Sequence, residues 1–162
     1  MHGDEVAAVT ALADRVHPGL PEDQAVFAER LALWPRGCLV LASADDVILG
    51  YAVSHPIRRH EPPSLGKLLR SLPDNADSYY LHDVVVAPEA RGKGHAEAGV
   101  RRLLDEAQAF PIAALISVYG TAPFWHRFGF ELTDGVLPAE RLAAYGEDAR
   151  YMLRPNPSAI PG

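Results

Sequence analysis

The sequence has a single cysteine and no long apolar run. Cys38 is the one cysteine among 162 residues, so the chain can form no intramolecular disulfide and no cysteine-based zinc cluster. No stretch approaches the roughly 18 apolar residues that a transmembrane helix needs, and residues 1–5 lack the basic and apolar segments of a secretion signal. We therefore expect residues 1–162 to form one cytoplasmic domain with no membrane partner.

Positive charge is scarce as well. The chain has 15 Lys and Arg residues against 21 Asp and Glu, which gives a formal net charge of −6. A domain that binds nucleic acid usually presents a basic face, so we expect no nucleic-acid partner, whereas a basic substrate is compatible with this charge. Because His55, His60 and Glu61 lack the spacing of a motif such as His-Glu-x-x-His, we expect no metal ion.

The order of the predicted elements favours an α/β fold. Apolar residues recur at helical spacing over residues 4–16, and a second helix is predicted over 21–33. A hairpin of strands follows, at 38–42 and 47–53, with Pro56 expected to end the second strand. The second half alternates strands with helices, as in a sheet covered by helices: strands are predicted at 79–86, 112–118, 130–132 and 149–153, and helices at 92–109 and 122–128.

A glycine-rich turn between the strand at 79–86 and the next helix carries the clearest chemical signal. Gly92 and Gly94 let a ligand approach the backbone closely, and the amides of a helix N-terminus attract an anion such as a pyrophosphate. Arg91 and Lys93 add positive charge. The sequence does not fit a P-loop, because Ala87 stands where that motif begins with glycine, and Glu97 excludes the dinucleotide-binding fingerprint.

The pattern Val-x-Pro-x-x-Arg-Gly-x-Gly-x-Ala over residues 86–96 resembles the coenzyme A signature of the GNAT superfamily of N-acetyltransferases. A second element, residues 122–130, is similar to the Phe-Tyr-x-x-x-Gly-Phe that follows the fifth strand in that family. The resemblance implies a mixed, mostly antiparallel central sheet of about six or seven strands with helices on both faces. The family's first strand would precede Asp4, so either the N-terminus is shortened or a neighbouring copy completes the sheet in a homodimer.

The resemblance also implies acetyl-CoA as co-substrate and a primary amine, on a small molecule or a peptide N-terminus, as acceptor. Backbone groups of the strand would bind the pantetheine arm, turn amides would hold the pyrophosphate, and the later segment would flank the thioester. The splayed strands at Val86 and Ser117 would admit the cofactor. The implied cofactor-binding residues are Val84, Val85, Val86, Arg91, Gly92, Lys93, Gly94, His95, Ala96, Ser117, Thr121, Phe124 and Trp125.

Direct acetyl transfer needs a base for the amine, and His82 and Asp83 are the candidates. Since neighbouring strand residues point to opposite faces, we expect only one of them to face a given pocket. We favour His82, whose ordinary pKa near 6.5 suits a base at neutral pH; the alternative is a packed or surface histidine.

The residue that would protonate the leaving thiolate is not at the position where the family often has it. The family often has tyrosine at the position of Trp125, and an indole has no proton that it can usefully give. Tyr119 is therefore the candidate acid, with packing in the core as the alternative. Because the acid is missing at 125, a non-catalytic acyl-CoA-binding or regulatory domain remains the second interpretation of the chain.

Two further features are Cys38 and the long segment between the second and third predicted strands. Cys38 is expected to be a buried small residue in a strand. The long segment over 57–78 is expected to contribute to the acceptor side. Its basic residues, Arg58, Arg59 and Lys67, are interpreted either as solvated charges or as groups that attract an anion.

Overall fold

The computed structural model describes residues 1–157, and its regular elements follow the predicted order. The helices are α1 (Val6–Val16), α2 (Gln24–Leu33), α3 (His95–Ala107), α4 (Ala122–His126) and α5 (Ala139–Ala143). The strands are β1 (Cys38–Ala42), β2 (Ile48–Ile57), β3 (Ser78–Val86), β4 (Ile112–Ser117), β5 (Glu131–Leu132) and β6 (Arg150–Pro155).

The six strands form one mixed sheet in the order β1-β2-β3-β4-β6-β5. Only the central pair, β3 and β4, is parallel, and α3 makes the crossover between them. Every other neighbouring pair is antiparallel. The predicted α/β class and mostly antiparallel sheet are therefore confirmed.

Helices cover both faces of the sheet, as alternate residues of β2 demonstrate. Ala52 belongs to an apolar cluster with Leu103 of α3. Its neighbour Val53 belongs to a second cluster with Val9 of α1 and Phe27 of α2. Successive strand residues point to opposite faces, so the two clusters are separate layers. Each fully buried aliphatic or aromatic side chain contributes about 1.5–3 kcal/mol to folding.

Two element boundaries differ from the sequence prediction for identifiable local reasons, and one short helix was not predicted. The second helix begins at Gln24 because Asp23 caps it, with its Oδ1 accepting the amide of Ala25 at 2.8 Å. Pro56 lies inside β2 rather than ending it. The last pair between β1 and β2 is Cys38–Val53, so Pro56 has a strand on one side only and its missing N–H breaks no ladder. Helix α5 was not predicted.

The long segment after β2 contains no helix or strand, yet it is tied to α2. Glu29 accepts the amides of Leu69 and Arg70 at 2.6 and 2.9 Å. Arg30 has a fully buried side chain, which contacts Glu29 at 2.6 Å and donates to the carbonyl of Lys67 at 2.9 Å. The segment is thus held in one arrangement by buried charged groups.

The N-terminus contacts the sheet at its edge. At the edge strand β1 the Met1 ammonium donates to the carbonyl of Cys38 at 3.1 Å, and no strand precedes β1 in residues 1–157. The longest described helix, α3, has 13 residues, and none of the described helices has the length and apolar character needed to cross a membrane.

Candidate active site

The central strands β3 and β4 separate where the site begins. Their parallel ladder runs from Ser78–Ile112 to Leu81–Leu115 and ends there. Strand β3 continues to Val86 and β4 to Ser117. The separation begins five residues before Val86, which leaves the backbone groups that face the gap free of strand pairing. A ligand can therefore lie between the two strands and hydrogen-bond to them.

An extra residue in β3 lies at the start of this opening. Val53 of β2 stands opposite Asp83 and Ser54 stands opposite Leu81, so His82 has no partner on β2. Such a bulge bends a strand and changes the direction of its side chains. His82 and Asp83 both line one cavity of about 820 Å³. The expectation that only one of the two could face a given pocket is therefore wrong.

His82 is paired with Glu22, which lies just before α2. Its Nε2 is 2.6 Å from Glu22 Oε1, and the two side chains are only 2% and 7% exposed. Burial alone would raise the pKa of Glu22, but the charge and hydrogen bond of His82 and the amide of Gly66 lower it below its usual value. The buried Nδ1 of His82 has no hydrogen-bond partner among the described residues.

A second imidazole–carboxylate pair lines the same cavity. His17 Nε2 lies 3.1 Å from Asp83 Oδ1, and Tyr51 donates its hydroxyl to Asp83 Oδ2 at 2.5 Å. Burial alone would lower the pKa of His17, but the hydrogen bond and charge of Asp83 outweigh it and raise the pKa. The Nδ1 of His17 is also buried without a described partner. Two imidazoles thus present unpaired Nδ1 atoms beside one cavity.

Tyr119 lies at the mouth of the cavity and is not part of the core. It is 53% exposed, and its ring stacks on His17 with 5.5 Å between centroids. Partial burial, followed by the charges of Asp83 and Asp148, raises the pKa of its hydroxyl, so the group stays protonated at neutral pH. The packing alternative for Tyr119 is therefore wrong.

The glycine-rich turn forms the other end of the site. Gly92 and Gly94 have φ angles of +78° and +79°, a left-handed conformation that glycine adopts without the strain of other residues. Gly94 is the N-cap of α3, and the turn lines a second cavity of about 310 Å³. The side chain of Arg91 donates to the carbonyl of Val86 at 3.0 Å. The two cavities share Val86, Arg91, Ala96 and Phe124.

Helix α4 supplies an aromatic wall to the larger cavity. The half-buried Trp125 packs against Phe124, Phe128 and Phe130 at centroid distances of 5.0, 6.4 and 5.8 Å. The indole N–H makes no hydrogen bond to a described residue. His126 is exposed.

Most of the implied cofactor-binding residues lie along these two cavities. Two do not: Lys93 is exposed beside the turn, and Ser117 is buried with its hydroxyl 3.1 Å from that of Thr121. The others line one or both cavities, and they are Val84, Val85, Val86, Arg91, Gly92, Gly94, His95, Ala96, Thr121, Phe124 and Trp125.

Sequence reasoning missed four polar groups of the site. None of Glu22, His17, Tyr51 and Tyr145 was a candidate in the sequence analysis, where Glu22 fell within the helix predicted over 21–33. The first two belong to the loop between α1 and α2, which closes over the bulge. The one feature of the sequence that could have indicated these groups is the short distance between His17 and Glu22 in the loop that follows the first helix.

Among the described residues the single thiol is unreactive, and the potential metal ligands form no metal-binding group. Burial raises the pKa of the Cys38 thiol to about 11, so it is an inert, buried side chain, as predicted. Within residues 1–157, three or more His, Cys, Asp or Glu side chains do not come together as a metal-binding group.

Solved structures share the fold at low sequence identity. Naa20 from Chaetomium thermophilum, in complex with a bisubstrate analogue, has a TM-score of 0.70 and 18% identity over 98% of this chain and 86% of that one. The NatC complex bound to Gag peptide and CoA has a TM-score of 0.71 and 16% identity over 95% of this chain and 92% of that one. A GNAT-like decarboxylase, GphF, in complex with isobutyryl-CoA has a TM-score of 0.74 and 16% identity over 96% of both chains.

No curated protein sequence matches the chain. The model of the family described as Acetyltransferase (GNAT) family matches residues 7–130, which include the glycine-rich turn and the α4 element from which the resemblance was drawn. The chain belongs to the acetyltransferase (GNAT) family.

Proposed function

We propose that the protein is an acetyl-CoA-dependent N-acetyltransferase that transfers an acetyl group directly to a primary amine. The observation that carries the proposal is a pair of adjoining cavities that share four lining residues and differ in chemistry at their far ends. The glycine-rich turn and Arg91 form the end suited to a pyrophosphate, and the pairs Glu22–His82 and His17–Asp83 form the other. The gap between β3 and β4 connects them. We further propose that residues 1–162 act as a single domain in the cytoplasm.

The residues present fit acetyl-CoA. Positive φ angles at Gly92 and Gly94 expose the turn, and a Cβ added at either position would meet no atom within 4 Å, so the space in front of the backbone is open. The pantetheine arm would lie against Val84 and Val85 in the gap. The half-buried rings of Phe124 and Trp125 would exclude water from the thioester end. Acetyl-CoA, when bound, supplies the activated acyl group.

The Glu22–His82 pair is proposed to take the proton of the amine. With Nε2–H donated to Glu22, a neutral His82 keeps its lone pair on Nδ1, the atom that lacks a partner. This nitrogen accepts the amine proton, directly or through one water molecule, and Glu22 stabilises the imidazolium that forms. Positioned general bases of this kind contribute about 10²- to 10⁴-fold to a rate.

The transfer is balanced without a covalent enzyme intermediate. The amine nitrogen forms a bond to the acetyl carbon, the carbon–sulfur bond breaks, and the electron pair leaves on the thiolate. A free backbone amide of β3 after Leu81 polarises the carbonyl, as oxyanion donors do. Tyr119, at the mouth of the cavity, is the proposed proton donor to the thiolate. A thiol with an ordinary pKa near 8.5 is also a fair leaving group without it.

An amine panel tests the proposal. The purified protein is incubated with acetyl-CoA and each primary amine, free thiol is followed with time, and products are identified by mass. We expect turnover that depends on the amine and a product heavier by one acetyl group. Acetyl-CoA that binds tightly but is never consumed across the panel would contradict the proposal.

A second candidate function is a non-catalytic acyl-CoA-binding or regulatory domain. Trp125 favours it, because this position holds the proton-donating tyrosine in many relatives. Thermal stabilisation by acetyl-CoA, with no acetylated product from any amine or peptide, would support this candidate. The two buried imidazole–carboxylate pairs would then have a structural role only.

A further inference from the structure

The charges around the acceptor end of the cavity restrict the acceptor itself. Among the described residues that line the 820 Å³ cavity, the only Lys or Arg is Arg91, which lies at the glycine-rich turn. The carboxylates at the opposite end belong to Glu22 and Asp83. Arg30 is fully buried, contacts Glu29 and Lys67, and does not line the cavity. A carboxylate on the acceptor would meet these two carboxylates, and the imidazoles beside them, His17 and His82, are already paired with them.

The unpaired imidazole nitrogens also favour an acceptor that carries an amine and no carboxylate. His17 and His82 each direct Nε2 to a carboxylate and leave a buried Nδ1 without a described partner. In its neutral form each imidazole donates from Nε2 and can only accept at Nδ1; for His17, whose pKa is raised by Asp83, this form is present above that pKa. An unpaired buried acceptor is unfavourable, and a ligand that brings N–H groups relieves it. An amine brings such donors, whereas a carboxylate brings acceptors.

The remaining lining at this end is apolar. The cavity is also lined by Val16, Pro18, Leu20 and Leu65 and by the aromatic residue Tyr145. These side chains offer contact area to a hydrocarbon body.

Hydrogen bonds join three chain segments near the acceptor end: the loop before α2, the long segment between β2 and β3, and the region of α5. Glu22 Oε2 accepts the amide of Gly66 at 3.0 Å, which joins the loop before α2 to the long segment. Tyr145 donates its hydroxyl to the carbonyl of Pro63 at 3.2 Å. The side chain of Arg141 donates to the neighbouring carbonyl of Pro62. Because Glu22 and Tyr145 line the cavity, these bonds fix part of its wall in place, which favours a compact acceptor over an extended peptide.

We infer that the acceptor is a compact primary amine with an apolar body and no carboxylate. The inference rests on the proposed function, since it names the substrate class of the same site. It follows from two carboxylates whose partners at this end are imidazoles already paired with them, from two buried Nδ1 atoms without a described partner, and from apolar lining residues. An amino acid would carry its carboxylate within two bonds of the reacting nitrogen and so into the field of Glu22 and Asp83.

Matched substrates test the inference. 2-Phenylethylamine, phenylalanine and phenylalanine amide share one body and differ at the carboxyl position, and 3-methylbutylamine with leucine forms an aliphatic pair. We expect kcat/KM for each simple amine to exceed that of its amino acid by about tenfold or more, with the amide close to the amine. A pentapeptide amide that begins with phenylalanine should react more slowly than the free amine.

The variant Asp83→Asn tests the contribution of the negative charge of Asp83 to this selectivity. Asp83→Asn keeps the size of the side chain and removes one negative charge, so the ratio of kcat/KM between amine and amino acid should shrink several-fold, whatever happens to the overall rate. Asp45→Asn, at an exposed turn outside the cavity, should leave that ratio unchanged. An unchanged ratio in Asp83→Asn would overturn the role of the charge.

Binding separates this inference from the proposed function. Calorimetric titration of 2-phenylethylamine and phenylalanine into the complex with CoA measures preference without turnover. Preferential binding of the amine without any acetylation would support the inference and contradict the proposed function. Equal acetylation of amine and amino acid would leave the function standing and overturn the inference. A pentapeptide that reacts faster than the amine, or no binding of any amine, would overturn it as well.

Discussion

Glu22 Oε1 lies 2.6 Å from His82 Nε2, although the two residues are 60 positions apart in the chain. The contact joins the loop before α2 to the bulge at which β3 leaves β4. Both partners are almost fully buried, so water screens the interaction poorly. A buried carboxylate and imidazole at the opening of a cleft form the arrangement expected of a proton-transfer pair, in which one group holds the other in place.

The first prediction concerns this pair. His82→Gln should lower kcat by roughly 10²- to 10⁴-fold, the usual contribution of a general base, while the Kd for acetyl-CoA hardly changes. Glutamine can still donate an N–H to Glu22, so the fold should survive better than with alanine. Steady-state thiol release and calorimetry measure the two quantities. The control is His2→Gln, since His2 is exposed and lies outside both cavities.

Glu22→Gln distinguishes a proton-transfer pair from a purely structural one. Loss of the carboxylate removes the charge that stabilises the imidazolium, so kcat should fall while the Kd for acetyl-CoA hardly changes. A variant that is merely less stable would have the kcat of the wild type at a temperature where both proteins are fully folded. If His82→Gln stays within threefold of the wild type in kcat, the base is Asp83 or water.

The second prediction concerns the glycine-rich turn. Gly94→Glu places a side chain and a negative charge in front of the amides that would hold the pyrophosphate, so acetyl-CoA affinity should fall by at least about 100-fold. The left-handed φ of +79° adds a strain of roughly 1–2 kcal/mol in any substituted residue. Gly94→Ala carries the same strain without the charge and is the matched control. Equal affinities of the glutamate and alanine variants would remove the turn from the cofactor site.

The sequence alone was enough to predict the glycine-rich turn but not the acid–base pairs. The difference is the separation in sequence between the residues that make up each feature. The turn amides are contiguous, so one local pattern describes both the residues and their chemistry. The pairs Glu22–His82 and His17–Asp83 span 60 and 66 positions, and nothing in the local pattern joins their members. The bulge is hidden as well, because β3 has the composition of a regular strand; this is why His82 and Asp83 were wrongly placed on different faces.

The third prediction concerns the pH dependence of stability. The pKa of His17 is raised in the folded protein, mainly because Asp83 outweighs the effect of burial. A raised folded-state pKa gives stability that is fully present below the unfolded-state pKa near 6.5 and is lost as pH rises through the folded value. The free energy of unfolding lost in His17→Gln should therefore be larger at pH 5.5 than at pH 9. Urea denaturation at several pH values measures it.

His2→Gln is the control for the His17 variant, since it removes an exposed histidine. Its free energy of unfolding should follow that of the wild type at every pH. A difference between wild type and His17→Gln that grows as the pH rises would contradict the assigned direction of the pKa shift.

The fourth prediction concerns the long segment between β2 and β3. The sequence suggested that residues 57–78 contribute to the acceptor side, but of this segment only Leu65 lines the larger cavity. Glu29 binds the amides of Leu69 and Arg70, so these two amides should exchange slowly with solvent even without an acceptor. Glu29→Gln should speed their exchange by at least about tenfold, whereas Asp45→Asn should not. Fast exchange of both amides in the wild type would show that the bonds do not persist in solution.

The last prediction concerns Trp125, the departure from the family pattern. Its indole packs on three phenylalanines and makes no hydrogen bond to a described residue, so we propose that it acts as an apolar wall beside the thioester. Trp125→Phe keeps an apolar ring and should retain most of kcat with a modest rise in KM. Trp125→Ala removes the wall and should cost stability, by roughly 3–5 kcal/mol at a fully buried position and less at this half-buried one. Steady-state rates between pH 6 and 9 measure both variants.

Trp125→Tyr completes the series because it introduces the acid found in many relatives. If departure of the thiolate limits the rate, kcat should rise and its pH profile should gain the titration of a phenol; otherwise kcat should match that of the phenylalanine variant. The two outcomes identify the slow step, and both are consistent with a wall. A phenylalanine variant that folds and binds acetyl-CoA but transfers no acetyl group would contradict the wall, because the indole N–H would then be required by the reaction itself.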